Sequence, residues 1–223
     1  SGIHLLFDRA KIAADWIKGD AGRIWAVYDK SMGQYLTDRA YVLGGFDRAL
    51  KEGYIKVYYQ PVIRTLNGKV CGTEALARWE DPVRGVIMPS VFVPVLEEAG
   101  LIHRLDCYVM EAVAKLYRFI MDNHRPFVPV SVNLSAVDFE ELIEKYQVPR
   151  NFFHIEITES ALKKNEGRLK QEIEKFRKAG YECWLDDFGS GYSSLNVLKT
   201  YRFDTLKLDM AFQRNQNDQG RKI

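Results

Sequence analysis

The sequence predicts an α/β fold in which strands alternate with helices and most strands run parallel. Three observations carry that expectation. From Tyr54 onward, short apolar runs of strand composition alternate with helical patterns: IKVYYQPVI, VCGTEALARW, VPVSVNLS, FFHIEIT, ECWLDDF and TLKLD are the runs. The helices between the later runs carry start and stop residues. The first two runs are joined by LNGK, whose Asn-Gly pair favours a tight hairpin. The opening pair is therefore expected to be antiparallel, and the rest to follow a β-then-α rhythm with a parallel sheet.

Before Tyr54 the character differs. LLFDRAKIAADWIKG reads as a helix, with Leu5, Ala10, Ile12, Ala13 and Ile17 near one stripe and Gly19 as its stop. A short apolar piece, IWAVYD, precedes a second helix, SMGQYLTDRAYVLGGFDRALKEG. Residues 1–53 hold too little apolar material for a core of their own and read as the tail of a preceding domain plus a connecting helix. Residues 54–223 form the main domain. Within it, PSVFVPVLEEAG is expected to be a helix with Ser90 as N-cap and Gly100 just past its end. HRLDCYVMEAVAKLYRFIMDN is the next helix, and EGRLKQEIEKFRKAG is a third, closed by Gly180.

Composition excludes several function classes. With 32 basic and 30 acidic residues in 223, the net charge of +2 gives no bulk electrostatic case for a nucleic-acid polymer or a membrane surface. Cys71, Cys107 and Cys183 are far apart and form no CxxC pair, which argues against a disulfide framework or a thiolate zinc site and suits a reducing compartment. No apolar run reaches the roughly 18–20 residues that cross a bilayer, and no signal peptide opens the chain. A cytoplasmic location is expected, for a parent protein that other segments can still tether to a membrane.

Polar residues interrupt the strands in a regular way. Glu74 lies in GTEALARW, Asn133 in SVNLS, Glu156 in HIEIT, Asp186 and Asp187 end CWLDDF, and Lys207 lies in TLKLD. One glutamate in an apolar strand is more often a salt-bridged structural residue. Five strands doing this in turn point to one shared place, because a lone buried carboxylate costs several kcal/mol. Four carboxylates and one amide are hard oxygen donors, suited to Mg²⁺ or Mn²⁺ rather than structural zinc. Their mutual repulsion calls for one or two divalent ions, two being the expectation, and such a pair acts on phosphodiesters. Lys207 would balance charge and place the attacking water or the phosphoryl oxygens. In the following FGSGYSS, Gly189 and Gly191 permit positive φ, and Ser193 or Ser194 can cap the next helix.

Residues 54 to about 210 resemble the EAL domain, the cyclic di-GMP phosphodiesterase of bacterial signalling. YYQPVI, GTEALARW, SVNLS, IEITES, LDDFGSGYSSL and LKLD carry the resemblance, in family order. It implies a TIM-like (β/α) barrel with one antiparallel strand, and Mg²⁺- or Mn²⁺-dependent hydrolysis of cyclic di-GMP to linear pGpG. Glu74, Asn133, Glu156 and Asp186 match the family's metal ligands, Asp187 a second metal-site aspartate and Lys207 the catalytic lysine. Glu159 matches the anchor of the loop after the aspartates, and Gln60 and Arg78 match positions touching the dinucleotide. Leu76 belongs to the motif and is expected to pack beneath the ligand, while Ala77 replaces the usual second leucine. Other roles stay open: Glu159 also fits as a helix cap, Arg78 as a surface ion pair and Gln60 as a structural residue.

The first 53 residues resemble the end of a GGDEF (diguanylate-cyclase-like) domain, so an upstream domain of that kind is an expected partner in the same chain. A homodimer joined through the connecting helix is a further expectation. The family pattern continues past the lysine strand with a βα unit bearing an EGVE-type glutamate and a last strand bearing a glutamine. The sequence stops at NQNDQGRKI, and the span between SVNLS and IEITES is short, so the barrel is expected to be incomplete at its C-terminal side. The alternative to an enzyme is a catalytically inactive EAL domain acting as a cyclic di-GMP receptor or regulatory module.

Overall fold

A computed structural model describes residues 2–18, 22–133, 144–159, 162, 166–189 and 198–208. The helical stop expected at Gly19, together with Gly191, Ser193 and Ser194, lies outside them. The chain divides into two compact units, Ser1–Ile55 with Trp79–Gly100, and Lys56–Arg78 with Leu101–Ile223.

The first unit contains helices α1 (Gly2–Trp16), α2 (Lys30–Lys51) and α3 (Pro89–Glu98) and the short strand β3 (Gly85–Ile87). Asp29 starts α2 by accepting the Ser31 N–H at 2.7 Å. Its core is built on Trp79, which is fully buried and has Phe46 and Phe92 at ring-centroid distances of 6.4 and 5.9 Å. The GG pair inside α2 acquires a reason here. A Cβ on Gly45 would stand 3.3 Å from the Trp79 ring, whereas Gly44 faces open space. α3 begins two residues earlier than its sequence suggests: Met88 is the N-cap and makes no side-chain cap bond, while Ser90 lies inside the helix. Pro89 explains the shift, since proline is pre-organised for the first helical position and has no N–H to satisfy.

The strand β3 has no periodic signature and was not expected. It pairs antiparallel with β2 (Lys69–Asp81) through a turn closed by Asp81. That carboxylate accepts from Tyr41 Oη at 2.6 Å and from the N–H groups of Val83 and Arg84 at 2.8 and 2.9 Å. Arg84 stacks 3.8 Å over the Tyr41 ring and pairs with Asp38 at 2.7 Å.

In the second unit, β1 (Ile55–Arg64) and β2 are hydrogen-bonded neighbours joined by the turn at residues 65–68. So short a connection leaves only the antiparallel arrangement expected from Asn67-Gly68. Among the described residues β1 stands at one end of the strand order, where Pro61 is tolerated. Next come α4 (Ile102–Asp122), β4 (Val130–Asn133), a 3₁₀ turn (Arg150–Phe152), β5 (Phe153–Thr158), α5 (Glu166–Lys178), β6 (Glu182–Phe188) and β7 (Thr205–Leu208). The order β1-β2-β4-β5-β6-β7 is parallel from β2 onward. This is a TIM-like (β/α) barrel pattern, unclosed among the described residues. α4 packs on β4 with Leu105, Val109, Met110, Val113 and Ala114 buried, and α5 packs on β6 through Leu169, Ile173 and Phe176. No described helix is long and apolar enough to cross a membrane.

Two stability outcomes follow for the first unit. Gly44→Ala is expected to raise the unfolding free energy by about 0.5–1 kcal/mol, whereas Gly45→Ala loses that gain against Trp79; paired urea titrations separate the two. Burial pushes the Asp81 carboxyl up, but its donors Tyr41, Arg84 and Val83 outweigh this and hold it below the usual aspartate value. The ionised form is therefore favoured by folding, so its contribution is complete above about pH 3.9 and is lost as pH falls through the lower folded value. Asp81→Ala is expected to cost roughly 1–3 kcal/mol at pH 7, with the deficit shrinking in titrations carried into acid.

Candidate metal centre

Strand register decides which side chains share a face. Directly paired residues are Glu74 with Ser131, Asn133 with Glu156, Glu156 with Trp184, and Thr158 with Asp186. Because side chains alternate with period two, all of these lie on one side of the sheet. The opposite side carries Ala75, Val132, Ile155, Ile157, Cys183 and Leu185, every one of them buried. The apolar face holds the helices and the polar face carries the site.

Three carboxylates meet on this polar face. Glu74, Glu156 and Asp186 each offer an oxygen within 4.8 Å of the others. Lys207 stands among them, with Nζ 2.9 Å from Glu74 Oε2, 2.9 Å from Glu156 Oε2 and 3.6 Å from Asp186 Oδ1. Asn133 donates from Nδ2 to Glu74 Oε1 at 3.4 Å. The structure thus brings five of the residues singled out by sequence to one place. Burial pushes the Glu156 carboxyl up, and Lys207 only partly reverses this, so it stays above the ordinary glutamate value. Burial would lower the Lys207 ammonium, but its bonds to Glu156 and Glu74 win and raise it, keeping it charged.

The adjacent aspartates lie together in a β-bulge. β6 and β7 pair Leu185 with Leu206 and then Phe188 with Leu208, so Asp186 and Asp187 together oppose the single residue Lys207. Asp187 takes φ +54°, a left-handed conformation that aspartate tolerates better than most residues. In a regular strand Asp187 would share the outer face with Leu185; the bulge removes it from that face. Its side chain is exposed and stands outside the three-carboxylate group. Gly189 follows at φ +98°, and its N–H donates to the buried Glu159 at 3.2 Å. That bond places Glu159 at the start of the loop after the aspartates.

Leu76 and Arg78 follow Glu74 on the same face of β2 by strand alternation, both half-buried. Arg78 Nη1 donates to the Ala77 carbonyl at 2.9 Å. Gln60 is exposed on β1. None of the three enters the carboxylate cluster. One residue read as ordinary lies on the site face: His154 stacks on Trp184 at 4.4 Å, 31° from parallel, and burial lowers its pKa against the pull of Glu182. Strand alternation with Glu156 was the signal that could have placed it.

The cluster fits a divalent cation. Three carboxylates against one ammonium leave a formal charge of −2. Glu156 Oε1 is buried with no hydrogen-bond partner. The Ser131 hydroxyl is close enough to favour the ionised form of Glu156, but it is directed to the Thr73 carbonyl at 3.4 Å and does not bond Oε1. A buried, unbonded carboxylate oxygen beside two others is a hard donor suited to holding a metal cation.

The chain matches the EAL domain over residues 45–223. It is 31% identical over 218 residues to the oxygen sensor protein DosP of Escherichia coli, covering 93% of this chain and 27% of that protein. It is 31% identical to the E. coli cyclic di-GMP phosphodiesterase PdeR, over 87% of this chain and 31% of PdeR. The bifunctional diguanylate cyclase/cyclic di-GMP phosphodiesterase MucR of Pseudomonas aeruginosa is 28% identical over 94% of this chain and 32% of its own length. The chain therefore spans about a third or less of these relatives. A solved MucR phosphodiesterase in complex with c-di-GMP superposes with a TM-score of 0.69 at 29% identity, covering 79% of this chain and 75% of that one. With that fold, and with a family match over most of its length, the chain belongs to the EAL-domain family.

Proposed function

We propose that this chain is the phosphodiesterase portion of a signalling protein, hydrolysing cyclic di-GMP to linear pGpG with Mg²⁺ or Mn²⁺. The observation that carries the reading is the gathering of Glu74, Glu156 and Asp186 around Lys207 on one face of the sheet. In the reaction a water oxygen joins phosphorus, the P–O3′ bond breaks, and one proton passes to the leaving oxygen. Glu74, Asn133, Glu156 and Asp186, with Asp187 for a second ion, would hold the metal, which would supply a more acidic water and neutralise charge on the phosphoryl oxygens.

The chain's own groups do the rest. Lys207 holds the Glu74 and Glu156 carboxylates in place and presents a fixed positive charge to a phosphoryl oxygen. Asn133 fixes the rotamer of Glu74 from the other side. Glu159 anchors the loop that starts at Gly189. Gln60, Leu76 and Arg78 are the proposed contacts to the dinucleotide. Residues 1–53 are proposed to join an upstream GGDEF-like domain and to support a homodimer, and residues 54–223 to form the EAL domain proper. A cytoplasmic location is proposed with that substrate, in a parent protein that other segments can tether to a membrane.

The test is conversion of cyclic di-GMP by the full-length protein, followed by chromatography of pGpG. Glu74→Ala is expected to abolish product, and Lys207→Met to lower kcat by about 100-fold or more. Wild-type turnover in Glu74→Ala would refute the reading. Tight calorimetric binding of cyclic di-GMP with no product would assign the chain as a receptor instead. At Asp187 two substitutions separate chemistry from backbone. Asp187→Asn keeps a residue that accepts left-handed φ, so activity falls while stability holds. Asp187→Val adds a strain of about 1–2 kcal/mol and lowers the unfolding midpoint as well.

A further inference from the structure

We propose that Asp204 is a positioning residue for Lys207: it pins the register of β7 on β6 and so aims the ammonium into the carboxylate cluster. The proposal rests on the hydrolytic reading of that cluster. β7 is short, Thr205–Leu208, and stands at one end of the strand order among the described residues. Lys207 lies between the pairs Leu185–Leu206 and Phe188–Leu208. A slip of one residue would turn it to the apolar face.

The residue just before β7 prevents that slip. The Asp204 N–H donates to the Cys183 carbonyl at 2.8 Å, and Asp204 Oδ2 accepts the Cys183 N–H at 2.9 Å. The carboxylate thus takes the place of a ladder carbonyl. Cys183 is fully buried, so leaving its N–H without an acceptor would be costly. A one-residue slip would bring either Phe203, with no acceptor on its side chain, or Thr205, with a hydroxyl in place of the carboxylate, to that point. The same Oδ2 accepts from Arg177 Nη1 of α5 at 2.8 Å, and Nη1 also reaches the Arg202 carbonyl at 3.3 Å. One oxygen therefore ties together β6, α5 and the entry to β7. Asp204 is at the N-terminal end of its strand and touches none of the cluster residues through any of these bonds.

Full-length protein carrying Asp204→Ala, Asp204→Glu or Asp204→Asn tests the proposal by pGpG formation and by backbone hydrogen exchange. Asp204→Ala is expected to lower kcat about 10–100-fold and to speed exchange of the β7 amides about tenfold, with KM nearly unchanged. Asp204→Asn keeps an oxygen for the Cys183 N–H and is expected to recover kcat to within about threefold of wild type. Asp204→Glu moves the acceptor and should behave as the alanine variant does; it decides the matter if Asp204→Ala does not fold. A merely structural role would reduce the folded fraction and leave kcat per folded molecule at the wild-type value. That result in a folded alanine or glutamate variant overturns the proposal, as does an asparagine variant as slow as alanine. If the wild-type protein forms no pGpG, the functional reading fails, and exchange alone decides: unchanged β7 protection in Asp204→Ala or Asp204→Glu refutes the clamp.

Discussion

The contact of one ammonium with three carboxylates is the constraint around which the second unit is arranged. Lys207 reaches Glu74, Glu156 and Asp186, which come from three different strands. Carboxylates so close repel one another, and one of them, Glu156, has almost no access to water. Such a cluster persists only where the sheet and its helices hold the strands in register without its help. The buried opposite face of the sheet supplies that support. Lys207 neutralises part of the charge, and the remaining negative charge with the unbonded Glu156 oxygen gives the site its demand for a cation.

The two neighbouring aspartates show how backbone geometry changes the use of a sequence. Regular alternation would send Asp186 to the site and Asp187 to the helix-facing side, where an ionised group has no place. The bulge between Leu185 and Phe188 takes up the second residue, at the cost of a left-handed conformation. Strain of this kind survives where the surroundings enforce it, and here Leu185 and Phe188, both buried, hold the two sides of the bulge. The turn at Gly189 and its bond to Glu159 continue the same departure from strand geometry.

The first unit has its own logic. Trp79 fills its centre, Gly45 makes room for the ring, and Asp81 closes the turn into β3 while holding Tyr41. Trp79 and Asp81 come from β2, and Gly45 and Tyr41 from α2. The relatives are roughly three to four times as long as this chain, and MucR is a bifunctional diguanylate cyclase/cyclic di-GMP phosphodiesterase.

Much of this was legible in the sequence. Strand and helix order, the hairpin at Asn67-Gly68, the helix ends at Gly100 and Gly180, and the convergence of Glu74, Asn133, Glu156, Asp186 and Lys207 follow from periodicity and from the cost of isolated polar groups in apolar strands. Those signals are local, so a linear sequence displays them. The strand β3, the start of α3 at Met88 instead of Ser90, the bulge at Asp187 and the tie between Asp204 and Cys183 were not legible. Each depends on which backbone groups meet across separate segments. Only tertiary packing decides that, because the same residues would satisfy their own local preferences in several registers.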